Sequence, residues 1–235
     1  MQLKQRRLRV QLKISKLKDV VNSVGVKICV YGTAGAGKTT LIKTLPGKVL
    51  ILSAESGLLS ISDFDADVVE VKSIDDVRQA YSFLANGDHD YDWVALDSFS
   101  EICEVLLSEE KQKTKDPRQA YGAVIETGTA LARAFRDLPL GVYFSAKSER
   151  TKDDATGRVS ASLSMPGAKL GAALPYLFDE VFYLFSATDK ESGELERWLQ
   201  TSGDQRADAK DRSGKLDQYE PANLADIVAK IRGRE

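Results

Sequence analysis

The sequence predicts an α/β fold: a mostly parallel β-sheet flanked by helices, with an antiparallel hairpin at its C-terminal end. Three observations carry this expectation. Near-continuous apolar runs alternate with helix-period segments along the chain, as strands buried on both faces require. The first of these runs leads through a glycine-rich turn into a helix-like segment. The last two are joined by the polar stretch Ala187 to Gly193, which reads as a hairpin connection.

Taken in order, strand-like runs fall at 26–31, 48–54, 67–72, 92–97, 141–146, 180–186 and 196–200. Helix-like segments fall near 38–45, 74–86, 99–113, 118–137, 168–177 and 222–232. Within 118–137 the apolar positions Tyr121, Val124, Ile125, Leu131, Ala132 and Phe135 keep a helical period. Two stretches resist regular assignment. Residues 111–117 form a lysine-rich polar break, and residues 148–167 form a long polar segment ending in Met165-Pro166-Gly167. Long irregular loops in compact domains are usually either functional or disordered. Both are expected beside C-terminal strand ends, where open α/β sheets bind ligands. The chain divides into a basic arm at 1–23 and a core at 24–235.

Bulk properties narrow the function classes. A chain of 235 residues can bury a sizeable single core. Its formal charge of -2 neither demands nor excludes a nucleic-acid partner. The distribution is more informative: Lys4, Arg6, Arg7, Arg9, Lys13, Lys16 and Lys18 crowd the start with no acid among them, as in arms that meet phosphate backbones or in a solvated leader. No apolar stretch is long enough to span a bilayer, and no apolar run follows the basic start. A cytoplasmic protein without membrane contact is expected. Cys29 and Cys103 lie in apolar surroundings and read as core residues. The single histidine, His89, sits in a polar turn without metal-ligand spacing, so no histidine-based catalytic site is expected.

The chemistry concentrates in Gly32-Thr33-Ala34-Gly35-Ala36-Gly37-Lys38-Thr39, a match to the phosphate-binding loop, with Thr40 following. Glycines let the backbone wrap a phosphate with successive N–H groups pointing inward. Lys38 reaches toward the β- and γ-phosphates of a nucleotide, and the Thr39 hydroxyl suits Mg²⁺. The run Asp92-Trp93-Val94-Ala95-Leu96-Asp97 is an apolar strand ending in a carboxylate. Asp97 then shares the metal with Thr39. Ser98, not a glutamate, follows it. The better candidate for orienting the attacking water is Glu55, which closes the strand-like run 49–55.

Ala54-Glu55 at one strand tip and Leu96-Asp97-Ser98 at another resemble the core of the RecA-type recombinases. The resemblance implies a RecA-like P-loop core using ATP and Mg²⁺, in which a glutamate at this place activates water. Lys210-Asp211-Arg212-Ser213-Gly214 resembles the K-N-R-F-G motif of RadA-type members, with Asp and Ser replacing Asn and Phe. It implies that Lys210 and Arg212 reach the nucleotide of a neighbouring subunit in a ring or filament, with ATP at the interfaces. Met165-Pro166-Gly167, 174–181 and 210–216 further resemble small phage ATPases of the single-strand annealing group called Sak-four. That resemblance implies single-stranded DNA as partner, and the RecA-type resemblance implies that two loops projecting from the sheet contact it. Their counterparts are 111–122, with Lys111, Lys113, Lys115 and Arg118, and 148–168, with Arg150, Lys152 and Arg158. Ser145 or Lys147 stands at the strand end where, in RecA-type proteins, a polar residue senses the γ-phosphate.

The expected function is therefore a DNA-stimulated ATPase promoting annealing or strand exchange in phage recombination, in a bacterial host and with a single-strand-binding protein as a further partner. A helicase-like translocase, a small-molecule kinase and a nucleotide-dependent scaffold are the alternatives. The chain has no Asn-Lys-x-Asp, and no Asp-x-x-Gly follows Asp97, which favours adenine over guanine.

Overall fold

The computed structural model describes residues 14–55, 57–152, 157, 159–188 and 193–234. The basic arm falls mostly outside these residues, as do Arg158, Asp153 and Asp154. The described part of the arm contains a short helix, α1 (Leu17–Ser23), which the sequence reading did not anticipate.

A central sheet organises the chain. Its parallel strands are β1 (Lys27–Gly32), β2 (Val49–Ser53), β3 (Asp67–Glu70), β4 (Trp93–Asp97), the first half of β5 (Gly141–Lys152) and the first part of β7 (Glu180–Thr188). Two further strands, β8 (Leu195–Gln200) and β10 (Tyr219–Pro221), add antiparallel at one edge. The order across the sheet is β10-β8-β7-β1-β5-β4-β2-β3. This is the mostly parallel sheet with an antiparallel C-terminal edge that the sequence predicts. The chain winds to opposite sides of the sheet from β1 and from β5, and such sheets open a crevice for ligands at that switch point.

Both faces of the sheet are covered, and the strand side chains alternate between two cores. Cys29, Tyr31, Val94, Leu96, Val142 and Phe144 face α3 (Ile74–Asn86), α4 (Phe99–Lys113) and α5 (Pro117–Arg136). Phe144 is fully buried, with ring centroids of Phe99 and Phe178 at 4.5 and 4.8 Å. Ile28, Val30, Trp93, Ala95 and Tyr143 face α2 (Lys38–Leu41) and α6 (Leu224–Arg232). Both cysteines lie in the first core, and burial pushes the Cys29 thiol up to about 12 and the Cys103 thiol higher still. Neither is poised to react. No described helix is long and apolar enough to cross a membrane.

Two expectations need correction. Residues 148–167 are not a long irregular loop. β5 continues to Lys152 and pairs antiparallel with β6 (Val159–Ser164), so the segment is a hairpin projecting past the sheet. Its cause is a period-two pattern, with Ala161 and Leu163 buried between serines. Residues 111–117 are not a loop either. α4 runs through Lys113, and α5 starts at Pro117 with Asp116 as N-cap, its carboxylate accepting from the Arg118 N–H at 2.9 Å. The connection is only Thr114 to Asp116.

Candidate nucleotide site

The parallel register aligns the strand tips. Gly32 pairs with Lys147 and Val30 with Ser145, while Ser53 pairs with Asp97. The ends of β1, β2, β4 and β5 therefore share one edge, and the four tips carry the chemistry.

The loop after β1 folds as its glycines allow. Gly35 and Gly37 have φ of 75° and 102°, a region that L side chains enter only with strain. A Cβ on Gly32 would come within 2.7 Å of the Leu184 carbonyl oxygen, so glycine lets β7 approach. The helix that follows is short. α2 gives way after Leu41 to a 3₁₀ turn, Ile42–Thr44. It is anchored from below by the buried Tyr143, whose hydroxyl donates to the Lys38 carbonyl oxygen at 2.8 Å. Thr33, Ala34 and Gly35 are exposed at the loop's crest.

Lys38 folds back over this loop, donating to the carbonyl oxygens of Gly32 and Thr33 at 3.0 Å each. Burial pulls its ammonium below the usual lysine range, against the nearby carboxylates of Glu55 and Asp97, which raise it. A phosphate at the loop would add a further negative charge beside the ammonium and raise it again.

Asp97 is the hub. It is 5% exposed. Thr39 Oγ1 donates to its Oδ2 at 2.7 Å, and Ser145 Oγ donates to its Oδ1 at 2.5 Å. Burial raises its carboxyl above the usual range even though both hydroxyls lower it. Glu55 stands beside it: the Ala54 N–H donates to the Asp97 carbonyl oxygen at 3.0 Å, and Ser98 Oγ donates to Glu55 Oε1. The Asp97–Ser98 peptide is cis. Ser98 also caps α4, accepting from the Glu101 N–H at 3.2 Å.

Mg²⁺ fits this donor set. Thr39 and Asp97 present hard oxygens within hydrogen-bond reach of each other, one of them on a largely buried carboxylate. Among the described residues no group of three or more His, Cys, Asp or Glu could hold a metal alone. That suits an ion that keeps its waters and takes its remaining ligands from substrate phosphates.

The structure thus brings Gly32 to Thr40, Glu55, Asp97 and Ser145 to one place. It does not bring Lys210 and Arg212 there. They belong to β9 (Lys210–Asp211) and the turn after it, and β9 pairs with the first residues of β7, at the opposite end of the sheet. Lys210 Nζ donates to the carbonyl oxygens of Pro175 and Phe178 at 2.5 Å each. Arg212 is exposed and bonds Asp179 Oδ1 at 2.8 Å. Neither reaches the nucleotide site of its own chain.

The remaining cations lie on two projections. Lys111, Lys113, Lys115 and Arg118 are exposed at the α4–α5 corner. Lys111 sits over the Tyr121 ring at 5.7 Å, and Lys113 pairs with Glu110 at 2.7 Å. Glu109, one turn earlier, accepts from the Ile74 N–H at the start of α3, which keeps this corner on the strand-tip side. Arg150 and Lys152 are exposed on β5, opposite Ala161 and Val159 of β6. Cross-strand partners share a face. Both cations therefore project from one side of the hairpin, and Glu149 and Thr151 from the other.

Sequence reasoning missed three participants. Ser98 holds Glu55, and Tyr143 supports Lys38. Arg197 on β8 donates from Nε to the Ala36 carbonyl oxygen at 3.2 Å. Each acts through a contact 43 or more residues away in sequence, which no local pattern signals.

Comparison with known proteins gives the family. A family model described as an AAA domain matches residues 24–213. Among solved structures, a KaiC-like protein from the hyperthermophilic archaeon Pyrococcus horikoshii OT3 is 12% identical, with 75% of this chain and 77% of that chain covered at a TM-score of 0.43. No curated protein matches the chain. Matched from β1's approach through the turn after β9, the chain belongs to the AAA_24 family of AAA domains, as a P-loop ATPase.

Proposed function

We propose that this ATPase binds single-stranded DNA and promotes annealing or strand exchange in phage recombination, working as a homo-oligomer with ATP between copies. The observation that carries the reading is the meeting of Lys38, Thr39, Asp97 and Glu55 at adjoining strand tips, with a contact chain leading from them into a cationic hairpin.

In this reading the loop backbone and Lys38 take the phosphates, and Thr39 and Asp97 hold Mg²⁺, which supplies charge neutralisation during phosphoryl transfer. Glu55, steered by Ser98, orients the attacking water. The contact chain runs along β5. Ser145 bonds Asp97; two residues on, Lys147 bonds Glu101 at 2.5 Å; the strand then continues into the projecting hairpin. A change of partner at Asp97 is thereby felt where Arg150 and Lys152 meet DNA. Sparse aromatics favour backbone contacts over base stacking.

The nucleotide site of one chain holds Lys38 but neither Lys210 nor Arg212. An exposed Arg212 at the far end of the sheet suits a trans-acting cation on a neighbour's nucleotide. Lys210, held by two carbonyl oxygens, suits a support for that turn. Hydrolysis of ATP measured with and without single-stranded DNA across salt concentrations tests the reading. Stimulation that fades as salt rises supports it; no stimulation and no DNA binding overturns it. Arg212→Ala should spare ATP binding and lower turnover, and full activity in that variant would exclude the shared site.

A further inference from the structure

Three polar side chains stand in a row across the strand tips. Ser53 of β2 is in register with Asp97 of β4, and the β4–β5 register brings Asp97 beside Ser145 of β5. Alternation puts all three on the α2 face, because Val49, Ile51, Ala95 and Tyr143 beneath them fill the core on that side. Two of the three are bonded to each other. Ser145 donates to Asp97 Oδ1, and Thr39 on α2 donates to Oδ2. Ser53 takes no part in this. It is 5% exposed, and its Oγ is buried without a hydrogen-bond partner.

A buried hydroxyl without a partner costs stability that alanine at the same place would not. Such side-chain atoms are scarce here. Among the described residues the others are Glu180 Oε2, at the remote end of the sheet, and Gln200 Oε1, on β8. The backbone around Ser53 is engaged: its carbonyl oxygen accepts from the Val71 N–H at 2.8 Å, and the Ala54 N–H donates to the Asp97 carbonyl oxygen at 3.0 Å. Only the hydroxyl is left over, and it lies in the row that faces the metal. Mg²⁺ in such sites keeps several of its waters, and a metal-bound water is a strong hydrogen-bond donor. A serine hydroxyl accepts as well as donates, and its staggered χ1 wells let it turn toward the tips without moving β2.

We propose that Ser53 is a further residue of the Mg²⁺ site, its Oγ accepting from a water on the ion that Thr39 and Asp97 hold. The proposal rests on that metal reading and deepens it. Ser53 is a positioning residue: it touches neither the ion nor the phosphates, and it acts by fixing the water. One strand end then carries both this group and, two residues on, Glu55.

The test uses Ser53→Ala and Ser53→Cys, the second filling the same space with a sulfur that bonds only weakly. Calorimetry gives the ATP affinity with Mg²⁺ present and then chelated, and thermal unfolding gives Tm without nucleotide. In both variants the gain in affinity from Mg²⁺ should shrink by roughly three- to tenfold, the scale of one hydrogen bond, with the affinity in chelator unchanged within about twofold. Mn²⁺, followed by its electron paramagnetic resonance signal, should bind the ATP-loaded variants more weakly by the same factor. Tm of nucleotide-free Ser53→Ala should hold or rise, because an unpartnered hydroxyl has gone. A fall in Tm in both variants would show that the hydroxyl is already bonded inside the fold, and would overturn the proposal. So would an undiminished gain from Mg²⁺, or equal weakening with and without the metal. If the wild type binds ATP but gains nothing from Mg²⁺, the metal reading itself fails, and the role of Ser53 with it.

Discussion

Glu180 opens β7 at the end of the sheet remote from the loop, and its carboxyl should make stability fall as pH rises. It is 1% exposed, and its Oε2 has no hydrogen-bond partner among the described residues. Burial raises its pKa to about 8, helped by the nearby Asp211 and Asp179. Burial also pushes Asp211 upward, but the Ser213 hydroxyl and backbone N–H groups pull it further down, so Asp211 stays ionised and Glu180 keeps the proton. An unfolded chain releases a glutamate proton near its ordinary value of 4.5. Between that value and about 8 the folded chain holds one proton more than the unfolded chain, and each pH unit favours unfolding by about 1.4 kcal/mol. This stabilisation is complete below the lower value and is lost as pH climbs through the upper one. At pH 7 the accumulated loss has a ceiling of about 3 kcal/mol. Glu180→Gln keeps the shape and removes the titration. Urea or thermal unfolding from pH 5 to 8 should show wild-type stability declining and the variant's curve flatter, with the variant gaining at most roughly 6–12 °C at pH 7. A constant offset between the two curves across that range would refute the argument, because it would mean that Glu180 is already ionised in the fold.

Two further outcomes follow from the site. Glu55→Gln should retain Mg·ATP binding and lose hydrolysis by roughly 10²–10⁴-fold; single-turnover hydrolysis beside a binding titration reads both, and an unchanged rate would remove Glu55 from its assigned role. Gly37→Ala places a methyl at φ 102° and against Arg197, so it should cost about 1–2 kcal/mol of stability and weaken Mg·ATP at the same time, as denaturation and calorimetry would show.

Much of the fold was legible because its strands are buried on both faces. Runs such as 26–31 and 92–97 are apolar nearly throughout, and the structure places strands at Lys27–Gly32 and Trp93–Asp97. The hairpin at 159–164 was overlooked because serine fills its outer positions, and Val159, Ala161 and Leu163 were too few to stand out as a strand. The α4–α5 corner looked like a loop because exposed helical turns and loops share a charged composition. α1, β9 and β10 are too short to leave a periodic signal. Within the site, the loop and the strand-tip acids carry their meaning in local spacing. Arg197 does not: it reaches Gly37 only because β8 lies two strands from β1. The placement of Lys210 and Arg212 was likewise set by β9 pairing with the start of β7, a register that sequence spacing does not specify.

The central claim is that the turn at Gly32–Thr39 grips a triphosphate whose magnesium is shared by Thr39 and Asp97. Calorimetric titration of the folded protein with ATP, with Mg²⁺ present and then chelated, tests it most directly when run beside Asp97→Asn. The account predicts saturable binding that is tighter with Mg²⁺ in the wild type, and an affinity indifferent to Mg²⁺ in the variant. Absence of binding by the folded wild type, or the same gain from Mg²⁺ in both proteins, would contradict it.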